Sequence, residues 1–177
     1  MEQVNYTGVF SWKFPHKTGL SKEMVYHLIK DETVDVISFC NQEFRAKDGR
    51  AFKYLEFTEI VHPGFMEGFN ILCDYLGLKV QEPRCVIYSN FWVAKPELYK
   101  EYVNTILVPA IEFLERPENK WFAWKDSGYH KKGGLKPEVL KQYTGLDYYP
   151  MACFLLERLV SVWIDNKNLS FKILNKL

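Results

Sequence analysis

The sequence predicts an α/β fold, a mostly parallel sheet flanked by helices, in a single domain over residues 1–177. Three observations predict it. A strand-like segment, an amphipathic helix and a second strand follow one another within the first forty residues, the pattern of a βαβ unit. The second of these strands, VDVISFC, is a near-continuous apolar run of the length expected for a strand buried on both faces. A third run of the same kind, Cys85 to Ser89, follows a helix-like stretch.

Each element has a local reason. In Tyr6 to Phe14 aromatic and β-branched residues alternate with polar ones as in a strand, which Pro15 then stops. Leu20, Met24, Val25 and Leu28 recur at helical spacing behind Ser21, an N-cap residue, and define a helix over 21–30. Val34 to Cys40 is the second strand. Asn41 to Glu59 holds a Lys47-Asp48-Gly49-Arg50 turn and reads as an excursion or hairpin. After His62-Pro63-Gly64 a helix carries Phe65, Phe69, Leu72 and Leu76 on one stripe and ends at Gly77. Cys85 to Ser89 is the third strand, Asn90 to Ala94 continues it or forms its active rim, and Pro96 opens a long helix that Pro109 bends. Residues 116–136 mix proline, glycine, lysine and exposed-looking aromatics without a stable period, as a functional loop would. Pro150 begins a strongly apolar helix, and Leu169 to Leu174 forms a last short strand.

Composition narrows the function classes. Hydrophobic residues are 47% and charged residues 25%, enough for a packed core and incompatible with global disorder. The net charge of +1 provides no field that selects nucleic acid as a partner. No apolar run approaches the about 20 residues of a membrane span, and the N-terminus lacks a basic flank followed by an apolar stretch, so a cytoplasmic location is expected. Cys40, Cys73, Cys85 and Cys153 lie far apart, each within an apolar run, and read as buried thiols.

Several catalytic signatures are absent: G-x-G-x-x-G, the P-loop, H-E-x-x-H and G-x-S-x-G. The four histidines lack metal-ligand spacing and no D-x-D pair occurs, so no metal ligands are assigned. Candidate ligand groups therefore come from the ends of the predicted strands: Trp12-Lys13-Phe14, Asn41-Gln42-Glu43 and Ser89-Asn90-Phe91-Trp92. Lys13, His16 and Lys17 would offer cationic donors to a phosphate, and Asn90 with Trp92 would orient and stack a sugar or base. Surface lysines, a turn-capping asparagine and a core tryptophan are the competing structural readings. Glu157, a carboxylate on a buried helix, reads equally as a general base and as a member of a structural ion pair. Adjacent helical residues point about 100° apart, so Arg158 is expected to be a poor direct partner for it. His62 stands at the mouth of a helix, as a binding group or a simple loop histidine.

The order YTGVFSWKF, KTGLS, VDVISFC-N, HPGF, YSNFWVAKPELYKEYVNTILVPAIEFLE and YYPMACFLLERLVSVWI resembles bacterial cell-surface and capsular polysaccharide glycosyltransferase-related proteins over most of the chain. Lys13, Asn90, Lys95, Glu157 and Arg158 are the matching positions. The resemblance implies a GT-A-like fold, short at the N-terminus, that transfers a sugar from a nucleotide donor to a bacterial surface glycan at the inner face of the membrane, with Mn²⁺ or Mg²⁺ accompanying the nucleotide sugar. Glu157 would then be catalytic, as base or acceptor-orienting carboxylate, and Lys13, Lys17, His62, Asn90, Trp92, Lys95 and Arg158 would bind substrate. The chain starts close to the tyrosine-rich strand and lacks the acidic metal motif. That departure favours the alternative, a non-catalytic glycan-binding module or a partner subunit acting as a dimer or hetero-complex.

Overall fold

Helices dominate the described residues, among which three strands appear, each three residues long. The computed structural model describes residues 5–11, 13–39, 45, 48–131 and 134–174. In chain order these form α1 (Phe14–Thr18), α2 (Lys22–Ile29), β1 (Val36–Ser38), α3 (Tyr54–Val61), α4 (Phe65–Tyr75), β2 (Trp92–Ala94) and α5 (Pro96–Tyr102). A π turn (Val103–Leu107) follows, then α6 (Val108–Glu115), α7 (Lys120–Ala123), α8 (Pro137–Thr144), α9 (Met151–Asn166) and β3 (Phe171–Ile173). The residues cluster into two compact units, each assembled from separated stretches. One comprises 1–42, 83–107 and 157–177, and the other comprises 43–82 and 108–156. None of the helices among the described residues is long and apolar enough to cross a membrane.

The expected mostly parallel sheet is not present. The sheet has the order β2-β1-β3, with β1 antiparallel to β2 and parallel to β3. Two predicted strands fail for identifiable reasons. Among the described residues of 6–14 only Thr7 pairs, with Ala94, through reciprocal bonds of 2.8 and 2.9 Å. Pro15 then serves as a first-turn residue of α1 rather than as a strand terminator. Gly8 permits the close approach to β2, since a Cβ there would meet the Trp92 carbonyl oxygen at 2.5 Å. Residues 85–89 are deeply buried at Cys85 and Ile87 but join no ladder. Side chains satisfy their backbone instead: Ser38 Oγ donates to the Val86 carbonyl (3.1 Å) and the Ile87 N–H donates to Ser161 Oγ (3.0 Å).

The first unit is held at its sheet by one carboxylate. Asp35, at the entry to β1, accepts from Lys95 Nζ (2.8 Å), which follows β2, and from the N–H (2.9 Å) and hydroxyl (2.8 Å) of Ser170, which precedes β3. Its own N–H bonds Ser170 and its carbonyl accepts from the Lys95 N–H, so all three strands are registered through one residue. Phe10, Phe14, Phe39 and Phe91 form an aromatic nest against this sheet. Phe10 stacks on Phe14 at 4.0 Å, and Phe14 meets Phe39 and Phe91 edge-on at 5.6 and 5.2 Å. On α9 of this unit, Leu159, Val162 and Ile164 are fully buried and Trp163 lies 5.1 Å from Tyr102.

In the second unit α4 buries the predicted stripe Phe65, Phe69 and Leu72. Glu59 caps this helix, accepting from the N–H groups of Gly64 and Met66 at 2.8 Å each. Residues 54–61, part of the predicted excursion, are instead α3, whose first N–H groups, Tyr54 and Leu55, donate to the Glu82 carboxylate. Gly68 lets the Phe122 ring approach α4, where an added Cβ would lie 2.8 Å from it. Of the predicted Lys47–Arg50 turn, Asp48 to Arg50 are described, with Gly49 at φ +86° and Arg45 bridged to Ala51, and Lys47 lies outside the described residues. The π turn Val103–Leu107 ends two residues before Pro109, which lacks the N–H that a regular ladder would use there. Cys73 is buried, which pushes its thiol up to about 12, whereas Cys153 is exposed, contrary to its reading as a core thiol. Cys40 lies outside the described residues.

Burial, the largest influence on Asp35, pushes its carboxyl up, but the Lys95 ammonium and the Ser170 hydrogen bonds together outweigh it and hold the carboxyl below its ordinary value. A carboxyl with a lowered folded pKa binds fewer protons folded than unfolded. Its stabilisation is complete above the unfolded pKa and is lost as pH falls through the folded one. Asp35→Asn should therefore cost about 2 kcal/mol near neutrality. Urea titrations at descending pH should show a shallower acid loss below the ordinary aspartate range for the variant than for the parent.

Candidate functional site

The residues that combine strain, charge and exposure lie in the first unit, at the turn between the buried run 85–87 and β2. Ser89 and Asn90 have φ of +58° and +56°, and the Phe91 N–H closes the turn on the Tyr88 carbonyl at 3.2 Å. Two consecutive left-handed residues are the arrangement of a type I′ turn, which glycine and asparagine adopt readily and serine does not. Something must hold Ser89 there. The Ser89 N–H donates to the Glu157 carboxylate on α9, and Arg158 pairs with the same carboxylate while its guanidinium lies 4.7 Å from the Tyr88 ring centroid. The Arg158 side chain is 6% exposed and that of Glu157 18%.

The expectation that Arg158 points away from Glu157 does not hold. Their Cα–Cβ directions diverge, but an arginine side chain is long enough to sweep back over the helix surface once an aromatic face seats its guanidinium. The glutamate thus has two partners and acts on the turn as a brace.

Lys17, from α1, completes the group. Its Nζ donates to Ser89 Oγ at 3.1 Å and sits 5.6 Å from the Phe91 ring centroid, while the side chain remains exposed. Because the lysine donates, the serine hydroxyl keeps its own proton as a donor. Asn90, at the apex, is exposed, and Ser89 is half-buried. The surface of the turn therefore presents an ammonium, a hydroxyl and a carboxamide, a set suited to hydrogen-bonding an anionic or polyhydroxyl ligand.

The other sequence-predicted residues do not join this group. Trp92 is buried in β2 and packed between Tyr99 and Tyr102 at 5.3 and 5.4 Å, so its ring is not available for stacking a sugar. Lys95 is paired with Asp35 at 2.8 Å. Lys13 caps the start of α1 and is exposed, with its N–H on Ser11 Oγ at 3.2 Å. His62 belongs to the second unit, where it is buried at the end of α3 with its ring stacked on Phe154 at 3.7 Å. Trp12, Asn41, Gln42 and Glu43 lie outside the described residues. Tyr88 escaped the sequence reading; a tyrosine closing an apolar run four residues before a tryptophan carries no distinguishing signal.

The divalent cation that the family resemblance implies would need a cluster of oxygen ligands. Among the described residues no three His, Cys, Asp or Glu side chains are gathered for a metal, so these residues do not fit it.

The brace has a measurable energetic signature. Asn90→Gly should leave the melting temperature unchanged or raised, whereas Asn90→Val should cost about 1–3 kcal/mol, because a β-branched residue resists the left-handed conformation. Glu157→Gln should destabilise by about 3 kcal/mol, since it leaves Arg158 buried against a weaker acceptor. Denaturant melts of the three variants check both statements.

Comparison with family models, with curated proteins and with solved structures finds no match.

Proposed function

We propose that this chain binds a glycan carrying an anionic group at the Tyr88–Phe91 turn, and that it does so without transferring sugar. The observation that carries the reading is the state of Glu157. A general base must reach an acceptor proton, and this carboxylate is already held by the Ser89 N–H and the Arg158 guanidinium. What the turn offers a ligand is recognition chemistry instead. Lys17 supplies charge, the Ser89 hydroxyl a donor, and the Asn90 carboxamide both a donor and an acceptor. Lys13 and His16 are exposed on and beside the same short helix and add to the cationic character. The anionic half of the reading comes from these groups, and the saccharide half from the ordered sequence resemblance to surface-glycan proteins.

Titration calorimetry against uronate- and phosphate-bearing oligosaccharides, neutral oligosaccharides, and nucleoside diphosphate sugars with and without Mn²⁺ tests the reading. The anionic oligosaccharides should bind, and Lys17→Ala should weaken them about tenfold, the value of one charge-assisted hydrogen bond, with no change in melting temperature. Metal-dependent binding of a nucleotide sugar together with sugar transfer that Glu157→Gln abolishes would replace this reading with the transferase one. Absence of binding to every saccharide would remove it.

A further inference from the structure

The exposed residues of α7 and α8, in the other unit, carry chemistry that glycan recognition at the turn does not use. Residues 117–144 contain six lysines against three acidic residues, a net +3 in a chain whose total is +1, so the remaining residues together carry −2. The same segment holds a concentration of exposed large apolar side chains. Trp121 is 57% exposed, Trp124 42%, Leu135 44% and Tyr143 76%.

Packing explains why these residues face outward. Helix α7 is anchored by Phe122 and Ala123, 2% and 0% exposed, with the Phe122 ring against Gly68. That leaves Trp121 and Trp124, three residues apart, on the outer side between exposed Lys120 and Lys125. Helix α8 is anchored by Leu140 and leaves Val139 and Tyr143, four residues apart, as an outer stripe beside exposed Lys136. Two successive helices therefore repeat one design: a buried anchor, an outward aromatic or aliphatic pair, and lysines at the margin.

We infer that the exposed residues of α7 and α8 dock on an anionic phospholipid membrane. Tryptophan and tyrosine favour the headgroup level of a bilayer, aliphatic side chains enter the acyl boundary, and lysines at the margin meet lipid phosphates. Charge complementarity selects the anionic surface. The exposed Leu135 and Val139 favour lipid over nucleic acid, which would use the aromatic and basic residues but gain nothing from aliphatic ones. The helices are too short to span a bilayer and would lie in its interface. This inference stands independently of the glycan reading, because it uses none of the residues at the Tyr88–Phe91 turn.

Co-sedimentation of the full chain with phosphatidylcholine vesicles containing about one third phosphatidylglycerol tests it, with pure phosphatidylcholine vesicles as the comparison. The chain should pellet with the anionic vesicles and not with the neutral ones, and binding should weaken as salt is raised. The pair Trp121→Ala and Trp124→Ala should lower binding at least about tenfold, and Lys120→Glu with Lys125→Glu should do the same, while the melting temperature of each variant matches the parent. Failure to pellet with anionic vesicles, or equal binding to neutral ones, would overturn the inference. So would a concentration-dependent dimer, seen by sedimentation without vesicles, that the tryptophan substitutions abolish, since these residues would then form a contact between protein copies.

Discussion

The Asp35 carboxylate is the interaction on which the sheet unit depends. Strands of three residues provide too few ladder bonds to fix their own register, and β2 and β3 reach β1 from widely separated parts of the chain. One side chain resolves this by binding Lys95 beyond β2 and Ser170 before β3 while its backbone bonds both. Carboxylates serve backbone N–H groups in the same way at several other places. Glu59 and Glu82 satisfy the first N–H groups of α4 and α3, Asp165 accepts from the N–H and Nε of Arg84, and Glu157 accepts from the N–H of Ser89. Buried N–H groups without a partner are costly, and here acidic side chains provide what sheet ladders provide in other folds.

This use of carboxylates constrains what the protein can do. A side chain that holds a backbone amide is unsuited to abstracting a proton unless the fold loosens first, and Glu157 is held on two sides. The left-handed pair Ser89 and Asn90 persists because Glu157 holds the serine by its N–H, and the exposed Lys17 then donates to its hydroxyl. Strain, charge and exposure thus coincide at one turn of the first unit. In the second unit the exposed aromatics have a different origin: the buried anchors Phe122 and Ala123 on α7 and Leu140 on α8 turn one side of each helix inward and leave tryptophan and tyrosine outside.

Periodicity made part of the fold legible. Helix α2 begins behind Ser21, whose hydroxyl accepts from the Met24 N–H at 3.3 Å, and α4 is followed by Gly77 at φ +66°, both as the residues indicate. The third strand and α3 were not legible. An apolar run such as 85–89 has the composition of a buried strand whether its N–H groups meet another strand or the hydroxyl of Ser161, and that partner lies 74 residues away. The α3 stretch is rich in aromatic and β-branched residues, which favour extended structure locally, and Glu82, far along the chain, supplies its N-terminal acceptor. At the site, Lys17, Asn90, Glu157 and Arg158 stood out as charged or polar groups near apolar elements, but their meeting at Ser89 depends on tertiary placement. Asp35 carries a local signal of its own: an acid near the start of an apolar run, VDVISFC, needs a partner.

Native-state hydrogen exchange at single-amide resolution tests the central claim most directly, that carboxylates rather than ladders hold the irregular backbone. The N–H groups of Gly64, Met66, Arg84, Ser89 and Ser170 should be protected as strongly as amides within helices, and, after correction for intrinsic rates, each should lose protection as the carboxylate it donates to is protonated. Exchange of these five amides at the rate of exposed loops, with no dependence on carboxylate protonation, would contradict it.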